Sequence, residues 1–203
     1  VQRNEPVQIG SGTDWVEVAC GSSFTLARRA DGTLWGWGYN LYGQLADGTT
    51  TSRSTPAQIG SATTWASISC GDRHALGLHT DGTLWAWGSN SNGQLGDGSS
   101  ITSRVLLQVG SGMDWSFISA GSAHNMAIRG DGTLWAWGWN EYGQHGYGST
   151  VDSYVPTRIC AATDWASVAC GTGHTLAVRR DGTLWAAGSN YSGQLGDGRT
   201  AQR

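Results

Sequence analysis

No lysine occurs anywhere in this chain; its 12 basic residues are all arginine. Against 15 Asp plus Glu they leave a formal net charge of −3. Nothing resembles the basic stripe that phosphate contacts need, so no nucleic-acid partner is expected. No apolar run approaches the roughly 18 residues that cross a bilayer, and the N-terminus lacks the basic and apolar regions of a secretion signal. The chain reads as soluble, with no membrane partner. Charged residues make up only 13% of it while Gly contributes 32, a balance that would suggest disorder if the glycines were scattered. They recur instead at fixed offsets among Trp, Leu and Val, as close-packed strands and tight turns require.

Those offsets are a tandem repeat. The string Asp-Gly-Thr-Leu-Trp begins at Asp31, Asp81, Asp131 and Asp181, each start 50 positions after the last. Trp15, Trp65, Trp115 and Trp165 keep the same step, as do Asn40, Asn90, Asn140 and Asn190 and the Gly-Gln pairs that begin at Gly43, Gly93, Gly143 and Gly193. Repeats of this length are stacked supersecondary units, none of which buries its apolar face alone. The chain is therefore one array, with repeats at about 1–50, 51–100, 101–150 and 151–200, and with 201–203 opening a further repeat.

Within the fourth repeat, Trp165–Cys170 alternates large and small residues and His174–Arg179 does so again, each a strand ended by Gly-rich turn chemistry. Asp181-Gly182 suits a two-residue hairpin turn with positive φ at both centres, leading into a third strand from Leu184. A polar loop holding Asn190 and Gly193-Gln194 follows. Each repeat also has a short extended piece such as Pro56–Ile59 or Val155–Ile159, where proline marks an edge strand. Four antiparallel strands per unit predict an all-β chain of propeller blades. One strand face carries large residues and the other small ones, so the indoles of one sheet nest on the flat back of the next.

The string Cys170-Gly-Thr-Gly-His174-Thr-Leu-Ala-Val, then Asp-Gly-Thr-Leu-Trp, then Gly188-Ser-Asn190-Tyr-Ser-Gly-Gln-Leu-Gly-Asp-Gly198 resembles the repeat of the regulator of chromosome condensation family. The resemblance covers all four repeats and implies a β-propeller, usually of seven blades. Four blades of that type are expected to form part of a larger ring, or to close one by self-association, as a homodimer of eight blades. Plant ultraviolet-B receptors of this family carry Trp just after the repeat Gly; here Gly21, Gly71, Gly121 and Gly171 are followed by Ser, Asp, Ser and Thr, which argues against light sensing.

Residues that look chemical fall into framework slots. His74, His124 and His174 share theirs with Phe24, which marks packing positions, the imidazoles bonding to nearby backbone, and not a metal ring. Cys20, Cys70 and Cys170 share theirs with Ala120 and are read as small, buried, inert thiols; Cys160 stands where other repeats have Gly10, Gly60 and Gly110, and no disulfide is expected. The turn aspartates are explained by turn chemistry, and Asp47, Asp97 and Asp197 give way to Tyr147 in the third repeat, with no run of spaced carboxylates for calcium. Arg28, Arg29, Arg129, Arg179 and Arg180 precede the Asp-Gly turns and are read as solvated hairpin ends on one rim. No catalytic, cofactor or metal site is assigned.

What varies against this frame surrounds the repeated Asn: Tyr39, Leu41 and Tyr42; Trp139, Glu141 and Tyr142; and Tyr191, against Ser89, Ser91 and Asn92 in the second repeat. Aromatics on adjustable loops are frequent interface anchors, and these seven residues are the candidate partner-binding set. The expectation is a non-enzymatic scaffold for a protein partner or for copies of itself. A spacer or adhesin array is the alternative of another class. An exchange regulator of a small GTPase, which the resemblance also suggests, is disfavoured by the regular spacing, which leaves no room for an insertion.

Overall fold

A computed structural model describes residues 4–200. Its strands are β1 (Trp15–Cys20), β2 (Phe24–Arg29), β3 (Leu34–Gly38) and β4 (Arg53–Ile59); β5 (Trp65–Cys70), β6 (His74–His79), β7 (Leu84–Gly88) and β8 (Ser103–Gln108); β9 (Trp115–Ala120), β10 (His124–Arg129), β11 (Leu134–Gly138) and β12 (Ser153–Arg158); β13 (Trp165–Cys170), β14 (His174–Arg179) and β15 (Leu184–Gly188). They form antiparallel sheets in sequence order, β1-β2-β3-β4, β5-β6-β7-β8 and β9-β10-β11-β12, then β13-β14-β15. This is a tandem of propeller blades, with the sheets following one another and no ring closed.

The strands and their order are as the alternation predicts, but their phase differs from the repeat windows. The fourth strand of each blade comes from the head of the next window: β4 pairs with β3 through Leu34↔Ile59, Trp35↔Gln58 and Gly36↔Ala57. The last sheet accordingly has three strands among the described residues, and β15 is its outer edge. The head of the first window, Asn4–Ile9, matches β4 in sequence phase but lies exposed and outside any strand. Pro56 and Pro156 sit in outermost strands, where a missing N–H breaks no ladder.

Each hairpin between the second and third strands differs from the two-residue turn expected. Gly32 N–H donates to the Arg29 carbonyl at 3.0 Å and Arg29 N–H to the Thr33 carbonyl at 3.1 Å, which is a three-residue loop, Ala30-Asp31-Gly32. Only its glycine has positive φ, 77°. The aspartate instead braces the turn from outside. Asp31 Oδ1 accepts from Thr33 N–H at 2.9 Å and from Thr33 Oγ1 at 2.7 Å, and Thr33 Oγ1 accepts the Trp35 indole N–H at 2.9 Å. The same chain of three recurs from Asp81, Asp131 and Asp181. Asp-Gly-Thr-Leu-Trp is thus a single device: carboxylate, hydroxyl and indole locked in series.

Blades pack front to back. Leu26, Leu34, Leu45 and Ile59 of the first close on Trp65, Ile68, Ala75 and Trp87 of the second. Leu76, Leu84, Leu95 and Val109 then close on Trp115, Ile118, Ala127 and Trp137, and Met126, Ile128 and Leu134 on Trp165, Val168 and Ala177. The innermost strands β1, β5, β9 and β13 touch in order, and their turns are stitched by Ser22 N–H to the Asp72 carbonyl at 3.2 Å and Asp72 N–H to the Ser122 carbonyl at 3.1 Å. At the two ends of the array Val16 and Val18, and Leu184 and Trp185, remain exposed.

Candidate functional site

The loop after each third strand is built on its asparagine, which is wholly buried in all four repeats. Asn40 Nδ2 donates to Asp47 Oδ1 and to the carbonyls of Thr49 and Thr51, each at 3.2 Å, while Asn40 Oδ1 accepts Leu45 N–H at 2.9 Å. Gln44 Oε1 accepts Tyr42 N–H at 2.9 Å. A side chain that satisfies both donors and acceptors of one loop fixes its backbone without a regular ladder. Tyr147, in the slot of Asp47, reaches the same loop by donating its hydroxyl to the Val151 carbonyl at 2.7 Å.

This frame presents the candidate partner-binding residues on one rim, the end where the turns between first and second strands also lie. Trp139 meets Tyr142 edge-on at 5.0 Å between ring centroids, and Tyr142 meets Tyr191 of the next blade at 6.1 Å and 90°. Tyr39 meets Tyr42 at 6.3 Å. Tyr42 in turn lies under the Arg73 guanidinium, 5.0 Å from the ring centroid, with Arg73 donating to its hydroxyl at 3.1 Å. The set therefore forms two groups, Tyr39 with Tyr42 and Trp139 with Tyr142 and Tyr191, while Leu41 and Glu141 are exposed beside them. Tyr191 is 68% exposed and Tyr39 38%. Arg73 belongs to the surface and was not among the sequence candidates. Its signal was the slot itself, which holds Ser23, Ala123 and Gly173 elsewhere.

The opposite rim corrects the reading of the arginines. Arg29, Arg129 and Arg179 are not solvated ends: each guanidinium caps the corner formed by two indoles that meet edge to face. Arg29 lies 4.5 Å from the Trp15 ring and 4.2 Å from Trp35, Arg129 lies 4.7 Å from Trp115 and 4.1 Å from Trp135, and Arg179 lies 4.8 Å from Trp165 and 4.5 Å from Trp185. Asp14, Asp114 and Asp164 stand beside them at 3.7, 3.5 and 3.6 Å. His79 fills the slot in the second blade, stacked on Trp65 at 4.0 Å. Arg28 pairs with Glu17 at 3.0 Å, and Arg180 is the one of the five that is exposed. The stacked cations act as structural plugs.

The histidine slots bridge blades, through side chains and not through backbone as the sequence suggested. His74 Nε2 meets Asn125 Oδ1 at 2.7 Å and His124 Nε2 meets Thr175 Oγ1 at 3.1 Å, each partner lying on the second strand of the next blade. Burial pushes the His74 imidazole down to about 4 and that of His124 to about 3, where His145 and the other imidazoles add repulsion. Both are therefore neutral in the folded protein near pH 7. The thiols of Cys70 and Cys170 are driven upward by burial, Cys170 to about 12. Cys20, by contrast, is exposed, because it lies on the uncovered first blade. All four cysteines are free, and no group of three or more His, Cys, Asp or Glu placed to hold a metal occurs among the described residues.

These histidines set a pH response. Their folded pKa lies below the ordinary 6.5, so between about 6.5 and the folded value the unfolded chain binds protons the native chain does not. Stability then falls as pH falls, by up to about 1.4 kcal/mol per pH unit for each such group. His124→Phe, which copies the first repeat's slot, is expected to flatten that acid-side slope while changing stability near pH 7 only modestly. Urea unfolding at pH 7 and pH 5 measures both. An unchanged slope would mean that His124 is not the buried neutral group described.

A family model described as the RCC1-like domain matches residues 1–203. The crystal structure of human WBSCR16 superposes with a TM-score of 0.86 at 24% identity, covering 100% of this chain and 56% of that one. Yeast RCC1 (Prp20), solved bound to Kap60, gives 0.82 at 21%, covering 97% and 48%. Prp20p from Saccharomyces cerevisiae, described with its binding to Gsp1p and histones, gives 0.79 at 22%, covering 96% and 50%. The chain thus spans about half the length of these structures, and at such identities the likeness is one of fold. The chain belongs to the family of RCC1-like domains.

Proposed function

We propose that this chain is a non-enzymatic propeller platform that binds a protein partner through its strand-end loops and joins copies of itself through its open ends. The observation that carries the first half is the aromatic surface: Trp139, Tyr142 and Tyr191 in edge contact across two blades, and Tyr39 with Tyr42 under Arg73. Tyr, Trp and Arg on a rigid frame lose little side-chain freedom on docking, which is why they dominate interface energetics. Structural neighbours described with protein partners, Kap60 in one case and Gsp1p and histones in another, support a protein as the ligand.

The second half rests on an unsatisfied edge. β15 has no outer neighbour among the described residues, Leu184 is 63% and Trp185 50% exposed, and open apolar edges invite pairing. The register of β3 with β4 carries over: Ile9 of a second copy would stand opposite Leu184, Gln8 opposite Trp185 and Val7 opposite Ala186. Two such exchanges complete eight blades. In a longer array the next repeat would take the same edge.

One experiment has two arms. Mass by light scattering is expected to be twice that of the chain and to fall to that of the monomer for Val7→Pro; a monomer in the parent protein removes the self-association half. With the chain as bait in an extract of its source cells, a protein captured by the parent should be lost on combined Tyr42→Ser and Tyr142→Ser with circular dichroism unchanged. Capture undiminished by that pair of changes would place the interface elsewhere.

A further inference from the structure

In the second and third blades, the second tryptophan of the third strand is an indole plug driven into the blade before. Trp87 and Trp137 are wholly buried, and their N–H groups donate to the carbonyls of Gln44 at 2.8 Å and Gln94 at 3.0 Å. The next position in this series is Ala187. A side chain built on Gly96 would meet the Trp137 Nε1 at 2.9 Å, whereas one built on the equivalent Gly146 would meet the Ala187 methyl at 3.3 Å and the Ile159 Cγ2 at 4.0 Å. Between the third and fourth blades there is consequently a cavity of about 180 Å³, lined among others by Gln144, His145, Ile159, Trp165 and Ala187. A cavity of roughly 150 Å³ is enough to take up benzene.

The wall of this cavity is equipped for more than a hydrocarbon. The Gln144 carbonyl, counterpart of the two that receive indole N–H groups, has no donor among the described residues. The Gln144 side chain is wholly buried, with Oε1 accepting Tyr142 N–H at 3.0 Å and Nε2 left without a partner. His145 replaces the leucine of the other repeats, Leu45, Leu95 and Leu195, and is buried with Nε2 likewise unpartnered. Two departures from the repeat, Trp to Ala at 187 and Leu to His at 145, thus meet in one pocket from different blades. Buried polar atoms without partners are uncommon in native interiors and call for an explanation. The cation in the lining, Arg179, is stacked on Trp165 and Trp185 with Asp164 3.6 Å away to balance its charge, although its Nε, like the Trp165 Nε1, makes no hydrogen bond among the described residues; the balanced charge gives no preference for a charged ligand.

We propose that the cavity between the third and fourth blades binds a planar, neutral heteroaromatic ring with an N–H donor, of the indole class, which donates to the Gln144 carbonyl and occupies the place that Trp87 and Trp137 fill in their own blades. The ring comes either as a free small molecule or as a tryptophan side chain of another polypeptide; the chemistry of the pocket is the same for both.

Titration calorimetry with indole, and with indene as the ring of the same shape that has CH₂ in place of N–H, tests this on the whole chain. Expected are one indole per chain and about fivefold weaker binding of indene, the factor that a hydrogen bond of ordinary net strength produces. Ala187→Trp supplies the ring covalently and should abolish indole binding while raising the melting temperature. Should that variant fail to fold, Ala187→Leu fills part of the space and should weaken indole at least severalfold. A blocked tripeptide with central Trp, run beside indole, identifies the source: tighter binding of the peptide assigns the site to a polypeptide, binding of indole alone to a small molecule. No saturable heat from either, equal affinity for indene, or indole binding that survives both substitutions overturns the proposal.

Discussion

Trp137→Ala is expected to lower stability by about 3–5 kcal/mol, the cost typical of truncating a large buried aromatic. The side chain is wholly buried against Leu76, Leu84, Leu95 and Val109 of the preceding blade, so its loss removes both the transfer term and the packing of a rigid interface. For a domain near 200 residues, about 2–4 °C of melting temperature goes with each kcal/mol, which puts the shift at about 10 °C. The contrast is Trp135→Ala. That indole comes from Asp-Gly-Thr-Leu-Trp but sits at the rim, half-buried under Arg129, and a loss of less than half that of Trp137 is expected. Thermal unfolding of the two variants side by side is the check. If Trp135 proved the more costly, the assignment of the front-to-back core would be wrong.

That ordering is not visible in the repeated pentapeptide, whose own tryptophan is the less buried of the two. Both indoles of a third strand lie on one face, and period-two patterning does not tell them apart. What separates them is distance from the rim: Trp35, Trp85 and Trp135 lie at the hairpin end, where Arg or His lids them, and Trp87 and Trp137 lie deeper in the sheet. The strands themselves, their order and the blade architecture were legible because each is encoded locally and four times over. The register of β4 was not, because pairing across a loop of about 15 residues leaves the unit's phase free until the sheet is seen. The aromatic set around Asn40 and Asn140 was legible as variation against a frame. Its division into two clusters, and the membership of Arg73, depend on which turn of the next blade lies alongside, and no spacing within one repeat records that.

Asn140→Ala is expected to cost about 3 kcal/mol, a figure that combines several lost hydrogen bonds with the penalty for buried groups left unpaired. Asn140 Nδ2 donates to the carbonyls of Ser149 at 2.9 Å and Val151 at 3.0 Å, and its Oδ1 accepts His145 N–H at 2.9 Å. Alanine leaves all three backbone groups without that partner in a position that is wholly buried. Because the side chain ties the two ends of one loop, the loss should be local first: amide exchange across residues 140–152 should accelerate before the rest of the blade responds. Asn140→Asp separates shape from chemistry. The carboxylate keeps the volume and the acceptor for His145, yet it turns a donor into a second acceptor facing two carbonyls, so at neutral pH it should rescue little. Trp139 and Glu141 flank this asparagine, so the same substitution loosens the rim on which Trp139, Tyr142 and Tyr191 meet, and partner capture should weaken with it although no contacting side chain has changed. Amide exchange in the loop equal to that of the parent would show that Asn140 does not hold it, and the rim would then owe its shape to the aromatic contacts alone.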